Sequence, residues 1–193
     1  MATAGMIQGI LLAAGHSSRY GSNKLLESLA GGMPVALVSA LKLKENVDRL
    51  LVVIKPEDEE LKALFDKLEI ETLSCDRSSL GIGESIACAV RASHDASAWI
   101  IALADMPYIQ SETISTLVNM MRVGASICAP MLKGRQGHPV GFKQTFLDEL
   151  IQLSGDEGAR SIITTHKQDF VGFACQDEGI HRDIDFPGDI ILH

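Results

Sequence analysis

The chain has 193 residues, 46% of them hydrophobic, enough for one domain with a buried core. Its formal charge of −8 argues against a nucleic-acid binder, because binding a phosphate backbone requires clustered Lys and Arg. An acidic chain that handles anionic substrates must therefore supply positive charge locally, from a few basic residues or a metal ion.

Strand-length apolar runs alternate with longer stretches of helical period. The expected strands are Ile7–Ala14, Leu50–Ile54, a weaker one near Ile70–Leu73, Ala98–Ala104 and Ala125–Ala129. Nearly every position in them is apolar, as in parallel strands covered on both faces. The expected helices are Pro34–Lys44, Pro56–Leu68, Glu84–Ala92 and Ser111–Arg122. Two of these open on Pro, which the first helical turn tolerates, and Ser111 reads as an N-cap. After Pro130 the rhythm changes, with a strand at Pro139–Phe142, helices around Gln144–Leu153 and Asp156–His166, and a strand near Phe170–Cys175. The pattern predicts a single doubly wound α/β domain with a mostly parallel sheet and helices on both faces, residues 131–193 continuing the same domain.

Cys75, Cys88, Cys128 and Cys175 form no C-x-x-C pair, and the histidines lack zinc-like spacing. The four read as reduced thiols of an intracellular protein. Neither a signal-peptide pattern nor a run long enough to span a membrane is present, so a soluble, cytoplasmic protein is expected.

In an open α/β sheet, ligands gather beyond the carboxyl ends of the strands. Three segments follow strands there: Gly15–Lys24, Gly81–Ser85 and Asp105–Pro107. The first combines small residues, two glycines, Arg19 and Lys24, a composition in which backbone N–H groups can cradle phosphates. Arg19 offers a planar fork and Lys24 a mobile point charge. A Walker loop is excluded because Ser22-Asn23-Lys24 follows Gly21, and Ser17 breaks a dinucleotide fingerprint. The competing account is a solvated polar loop.

The run Leu12-Ala13-Ala14-Gly15-His16-Ser17-Ser18-Arg19-Tyr20-Gly21-Ser22-Asn23-Lys24 resembles the L-A-A-G-x-S-x-R-x-G-x-x-K signature of MobA-like nucleotidyltransferases. It is most similar to their molybdenum cofactor cytidylyltransferase group. Ala14 stands where guanylyl-transferring relatives tend to have Gly, and Tyr20 where the family often has Met. Further matches are Gly81–Ile86, Leu103–Pro107, Gly137-His138-Pro139, Gly155–Arg160 and Asp183–Pro187, the last with Phe186 where relatives have Thr.

The resemblance implies transfer of NMP, from CTP in this group, to the phosphate of a small acceptor such as molybdopterin, with Mg²⁺. It assigns nucleotide contacts to Leu12, Ala13, Ala14, Gly15, Ser17, Arg19, Lys24, Gly81, Gly83, Ser85 and Asp105. Lys24, Arg19 and Asp105 would be catalytic, with Asp105 the metal ligand and Asp185 a second carboxylate. His138, Asp156 and Arg160 would face the acceptor, and a molybdoenzyme is a candidate partner. Bland accounts stand beside these: Asp105 as a turn former, Ser85 as a plain helix start, His138 as support for the turn before Pro139, Asp185 in an ordinary acidic loop, and Arg160 paired with Asp156 on one helical face. Guanylyl transfer, a sugar or alcohol phosphate acceptor, and a nucleotide-binding chaperone or regulator without turnover remain alternatives.

Overall fold

A computed structural model describes residues 5–15 and 23–190. Its strands are β1 (Ile7–Leu12), β2 (Arg49–Ile54), β3 (Glu71–Ser74), β4 (Ala98–Leu103), β5 (Ile127–Leu132), β6 (Arg135–Gln136), β7 (Val140–Lys143) and β8 (Phe170–Ala174). The helices are α1 (Val35–Lys44), α2 (Glu59–Asp66), α3 (Ile82–Ala92), α4 (Ser111–Arg122), α5 (Leu147–Ile151) and α6 (Arg160–Thr165). The sheet runs β3-β2-β1-β4-β7-β5-β6, with β8 also paired to β5. β1 to β4 are parallel along this path, and β7 lies antiparallel between β4 and β5. β8 is parallel to β5. The doubly wound expectation holds, in a mixed eight-stranded sheet.

Period-two alternation distributes the strand side chains to two cores. Ile7 and Leu11 of β1 meet Val35, Leu43 and Leu61 on one face, while Ile10 and Leu12 meet Ile86 and Val90 on the other. Trp99 is fully buried in the second core, and its indole N–H donates to the Ser93 carbonyl and hydroxyl at 3.3 and 3.1 Å. Among the described residues, no helix is long and apolar enough to cross a membrane.

Several boundaries differ from the sequence expectation. β5 continues through Pro130, which lies between the β7 pairing at Ile127 and Cys128 and the β6 pairing at Met131 and Leu132. A missing N–H costs little in that gap. The short β6 was not anticipated. It is joined to β5 by Lys133-Gly134, both at positive φ (52° and 76°), as a two-residue hairpin turn requires. Pro34 is an N-cap rather than a first helical residue, and α2 starts at Glu59, three residues past Pro56.

Ser111 is inside α4, not its cap. Asp177, from the far end of the chain, accepts the Gln110 N–H at 2.8 Å and the Thr113 hydroxyl at 2.7 Å. It also accepts the Gly179 N–H at 2.9 Å and is only 2% exposed. Asp177→Ala leaves buried donors without a partner and is expected to cost about 2–4 kcal/mol. A urea midpoint that stays at the wild-type value would refute this.

Candidate active site

The strand order reverses between β1 and β4, and Gly15 and Asp105, just past these two strands, border one crevice. A cavity of about 340 Å³ there is lined by Leu12, Ala14, Gly15, Gly81, Ser85 and Asp105, among others. Three segments far apart in sequence thus meet at one wall. Ser78, Ile82 and Leu103 also line it; Ile82 and Leu103 fall inside the matched segments Gly81–Ile86 and Leu103–Pro107 without having been assigned a contact, and Ser78 was not singled out from the sequence. Arg19 and Ser17 lie outside the described residues.

Two expected contacts point elsewhere. Ala13 is 2% exposed and its N–H donates to the Val53 carbonyl at 2.8 Å, so its side chain belongs to the core. Gly83 packs α3 against the next segment, and a Cβ there would come within 2.8 Å of the Ser154 backbone. Gly81 is required for two reasons. Its φ is +131°, and a Cβ would fall 2.2 Å from the Gly155 carbonyl carbon. The wall that carries Gly81 is tied down by Arg77, which donates to both Glu84 carboxylate oxygens at 2.9 and 3.0 Å.

Lys24 opens a short 3₁₀ turn whose N-cap, Asn23, accepts the Leu25 N–H. The lysine side chain is nearly buried and its ammonium donates to Asp105 Oδ2 at 2.8 Å and Asp185 Oδ1 at 3.1 Å. Burial alone would lower the Lys24 pKa, but the bonds and charges of Asp105 and Asp185 outweigh it and hold the pKa above the ordinary lysine value. Residues 81 and 161 positions apart from Lys24 therefore form one ionic cluster. Asp183 joins it: ligand atoms of Asp105, Asp183 and Asp185 all lie within 4.8 Å of one another. These are hard oxygen donors, the set a divalent cation such as Mg²⁺ accepts.

The backbone around Asp105 is braced from four directions. Ile184 N–H donates to the Asp105 carbonyl at 2.9 Å, bringing the acidic C-terminal segment alongside. Ala104 N–H donates to the Leu12 carbonyl at 3.0 Å. The Ser39 hydroxyl donates to the Ala104 carbonyl at 2.9 Å, and Lys42 caps the Pro107 and Ile109 carbonyls at 2.7 and 2.9 Å. Burial pushes the Lys42 pKa down, opposed by the Asp177 and Glu112 charges. Neither Ser39 nor Lys42 was foreseen, since each looks like an ordinary polar position within a mostly apolar helix.

A second cavity, about 610 Å³, adjoins the first and shares Ile82 and Asp156 with it. His138 and Arg160 line it, together with Arg135 and Gln136 of β6 and apolar Val140 and Phe142. Asp156 and Arg160 do not share a helical face, because Gly158 at φ +56° separates a 3₁₀ turn from α6. No ion pair involving Arg135 or Arg160 is present among the described residues. His138 Nδ1 is buried without a hydrogen-bond partner among the described residues. Burial is the main influence on that ring and lowers its pKa, against the pull of Asp105 and Asp183, so the imidazole is neutral at pH 7.

The chain is 28% identical over 189 residues to the purine catabolism protein PucB of Bacillus subtilis strain 168, covering 93% of this chain and 91% of that one. It is 29% identical over 159 residues to a probable molybdenum cofactor guanylyltransferase of Thermococcus sibiricus, covering 78% and 75%. The crystal structure of Rv0371c from Mycobacterium tuberculosis H37Rv superposes with a TM-score of 0.83 at 22% identity over 97% of this chain and 96% of that one. A structure of the same protein complexed with manganese gives 0.75 at 20% identity, covering 90% and 89%. The profile of the MobA-like NTP transferase domain matches residues 9–170, and the chain belongs to that family of nucleotidyltransferases.

Proposed function

We propose that this protein transfers CMP from CTP to a phosphate of a small acceptor, molybdopterin or its molybdenum-bearing form, and releases pyrophosphate. The observation that carries this reading is the placement of Asp105, which lines the smaller cavity and also belongs to the Lys24–Asp185 cluster. A triphosphate in that cavity would meet a lysine and a set of metal-binding carboxylates at one end. Ala14 favours a pyrimidine, because its methyl group on the cavity wall takes space that a Gly would leave to a larger base.

Asp105, with Asp185 and Asp183, would hold Mg²⁺. The manganese complex of the Rv0371c structure supports a divalent ion in this fold. When bound, the ion supplies neutralisation of phosphate charge. An oxygen of the acceptor phosphate attacks the α-phosphorus as the bond to the β-phosphate breaks, and pyrophosphate leaves with the electron pair. That nucleophile is already ionised at neutral pH, so alignment and charge neutralisation are the protein's task. Lys24 and Arg19 stabilise charge on the α-phosphate and the leaving group. Gly15, Gly81 and Ser85 line the nucleotide cavity, Ser85 from the first turn of α3, where N–H groups and hydroxyl favour an anion.

The larger cavity is assigned to the acceptor. Two guanidiniums lacking carboxylate partners among the described residues, beside apolar Val140 and Phe142, suit a flat ring bearing an anionic tail. The neutral His138 ring would satisfy its orphan nitrogen against such a ligand. Arg135→Gln is expected to raise the acceptor KM about tenfold or more, the scale of a lost charge-assisted hydrogen bond, and to leave the CTP KM unchanged. Equal effects on both constants would refute the assignment. Four free thiols support a reducing, cytoplasmic setting, and a molybdoenzyme that receives the product is the expected partner.

The experiment is an assay of pyrophosphate release with each NTP against molybdopterin and a panel of sugar and alcohol phosphates. Release with CTP and molybdopterin supports the reading. Release with GTP moves the base assignment, and release with a sugar or alcohol phosphate moves the acceptor. Nucleotide binding without pyrophosphate release under any pairing would identify a binder or chaperone instead.

A further inference from the structure

We infer that the Lys24 ammonium is the internal counter-ion of the metal-binding carboxylates, and that a divalent cation gains the site only together with the triphosphate that draws Lys24 away. This rests on the nucleotidyl-transfer reading above and adds an order of events to it.

Three carboxylates share the cluster, and the ammonium is 2.8 Å from one and 3.1 Å from another. A magnesium ion bonded to carboxylate oxygens sits at about 2.0–2.1 Å from them, so it competes with the ammonium for Asp105 Oδ2 and Asp185 Oδ1. Its charge is also repelled by a cation held a few ångströms away. Lysine and metal are therefore alternatives on these two oxygens. The lysine side chain is only 11% exposed and its turn is fixed by Asn23, so the ammonium needs a new anionic partner before leaving. Asp105 lines the nucleotide cavity, which puts bound phosphates within reach of a lysine already touching that carboxylate.

The consequences run both ways. Without nucleotide, Lys24 offsets one of the three negative charges, occupies the oxygens of Asp105 and Asp185 and keeps divalent affinity low. When pyrophosphate and its ion depart, Lys24 returns to the carboxylates and competes against rebinding.

The test is calorimetric titration of MnCl₂, and separately of preformed Mn–CTP, into wild type, Lys24→Met and Asp105→Asn. Met keeps the apolar stem and removes the charge, and Lys24→Gln provides a second variant, both checked by far-UV circular dichroism. Nucleotide-free Lys24→Met is expected to bind Mn²⁺ at least about tenfold more tightly than wild type, and Mn–CTP no more tightly. Asp105→Asn should lose the Mn²⁺ binding. Equal Mn²⁺ affinities for wild type and both Lys24 variants overturn the inference, while Mn–CTP binding by wild type would leave the nucleotidyl-transfer reading standing. Failure of wild type to bind Mn–CTP removes both.

Discussion

Lys24→Ala is expected to lower turnover by about a hundred- to a thousandfold, roughly 3–4 kcal/mol, the scale for losing one preorganised donor to transition-state charge. In the nucleotide-free protein the ammonium is spent on Asp105 and Asp185. In the reaction it would turn to the α-phosphate and the leaving pyrophosphate, where negative charge grows. Contacts made only as charge develops raise kcat rather than tighten ground-state binding. The loss should therefore fall mainly on kcat, with the CTP KM changing far less. Single-turnover kinetics with CTP and acceptor separate the two. Turnover near wild type would remove Lys24 from the chemistry, and a purely KM effect would make it a simple binding residue.

The same pair shows what sequence could and could not supply. The first strand is legible because a fully buried parallel strand must be apolar throughout, and Gly15 just past it lines the smaller cavity, while residues 16–22 of the loop lie outside the described residues. Asp105 is legible because a carboxylate at the end of such a strand has no place in the core. What no local pattern contains is that Lys24 bonds Asp105, since the contact depends on parallel pairing of β1 with β4. Asp183 was passed over in favour of Asp185, although residues two apart in an extended segment share a face. Here both join Asp105 in one cluster, with Ile184 between them buried and its N–H bonded to the Asp105 carbonyl.

Errors in the distal half have a similar origin. Ser111 looked like an N-cap because propensity is local, whereas the group that satisfies the start of α4 arrives from Asp177. Arg135 sits on a two-residue strand that exists only because Lys133 and Gly134 both adopt positive φ. Lysine seldom announces such a turn. Without β6, Arg135 reads as a loop cation. With it, the side chain stands at the rim of the larger cavity with Arg160.

Asp105→Asn is expected to cut kcat at least about a hundredfold and to shift the Mg²⁺ dependence to higher concentration, while leaving the fold intact. An amide keeps the shape and one oxygen but removes the charge that binds both Lys24 and the ion. Several kcal/mol of charge neutralisation is at stake, and each 1.36 kcal/mol is tenfold in rate. The structural cost is small by comparison. The backbone at Asp105 is held through Ile184, Ala104, Ser39 and Lys42, none of which uses the Asp105 carboxylate. Lys24 keeps its bond to Asp185, so losing the Asp105 partner is worth about 1–3 kcal/mol, a shift of roughly 2–12 °C in Tm for a chain of this size. Asp183→Asn is the informative companion, because its carboxylate is in the cluster but makes no bond to Lys24 among the contacts present. A Mg²⁺ titration of Asp105→Asn that overlays wild type would refute the metal assignment. If the titration shifts equally in both variants, the ion is held by the cluster as a whole. If it shifts in Asp105→Asn alone, Asp105 is the anchoring ligand.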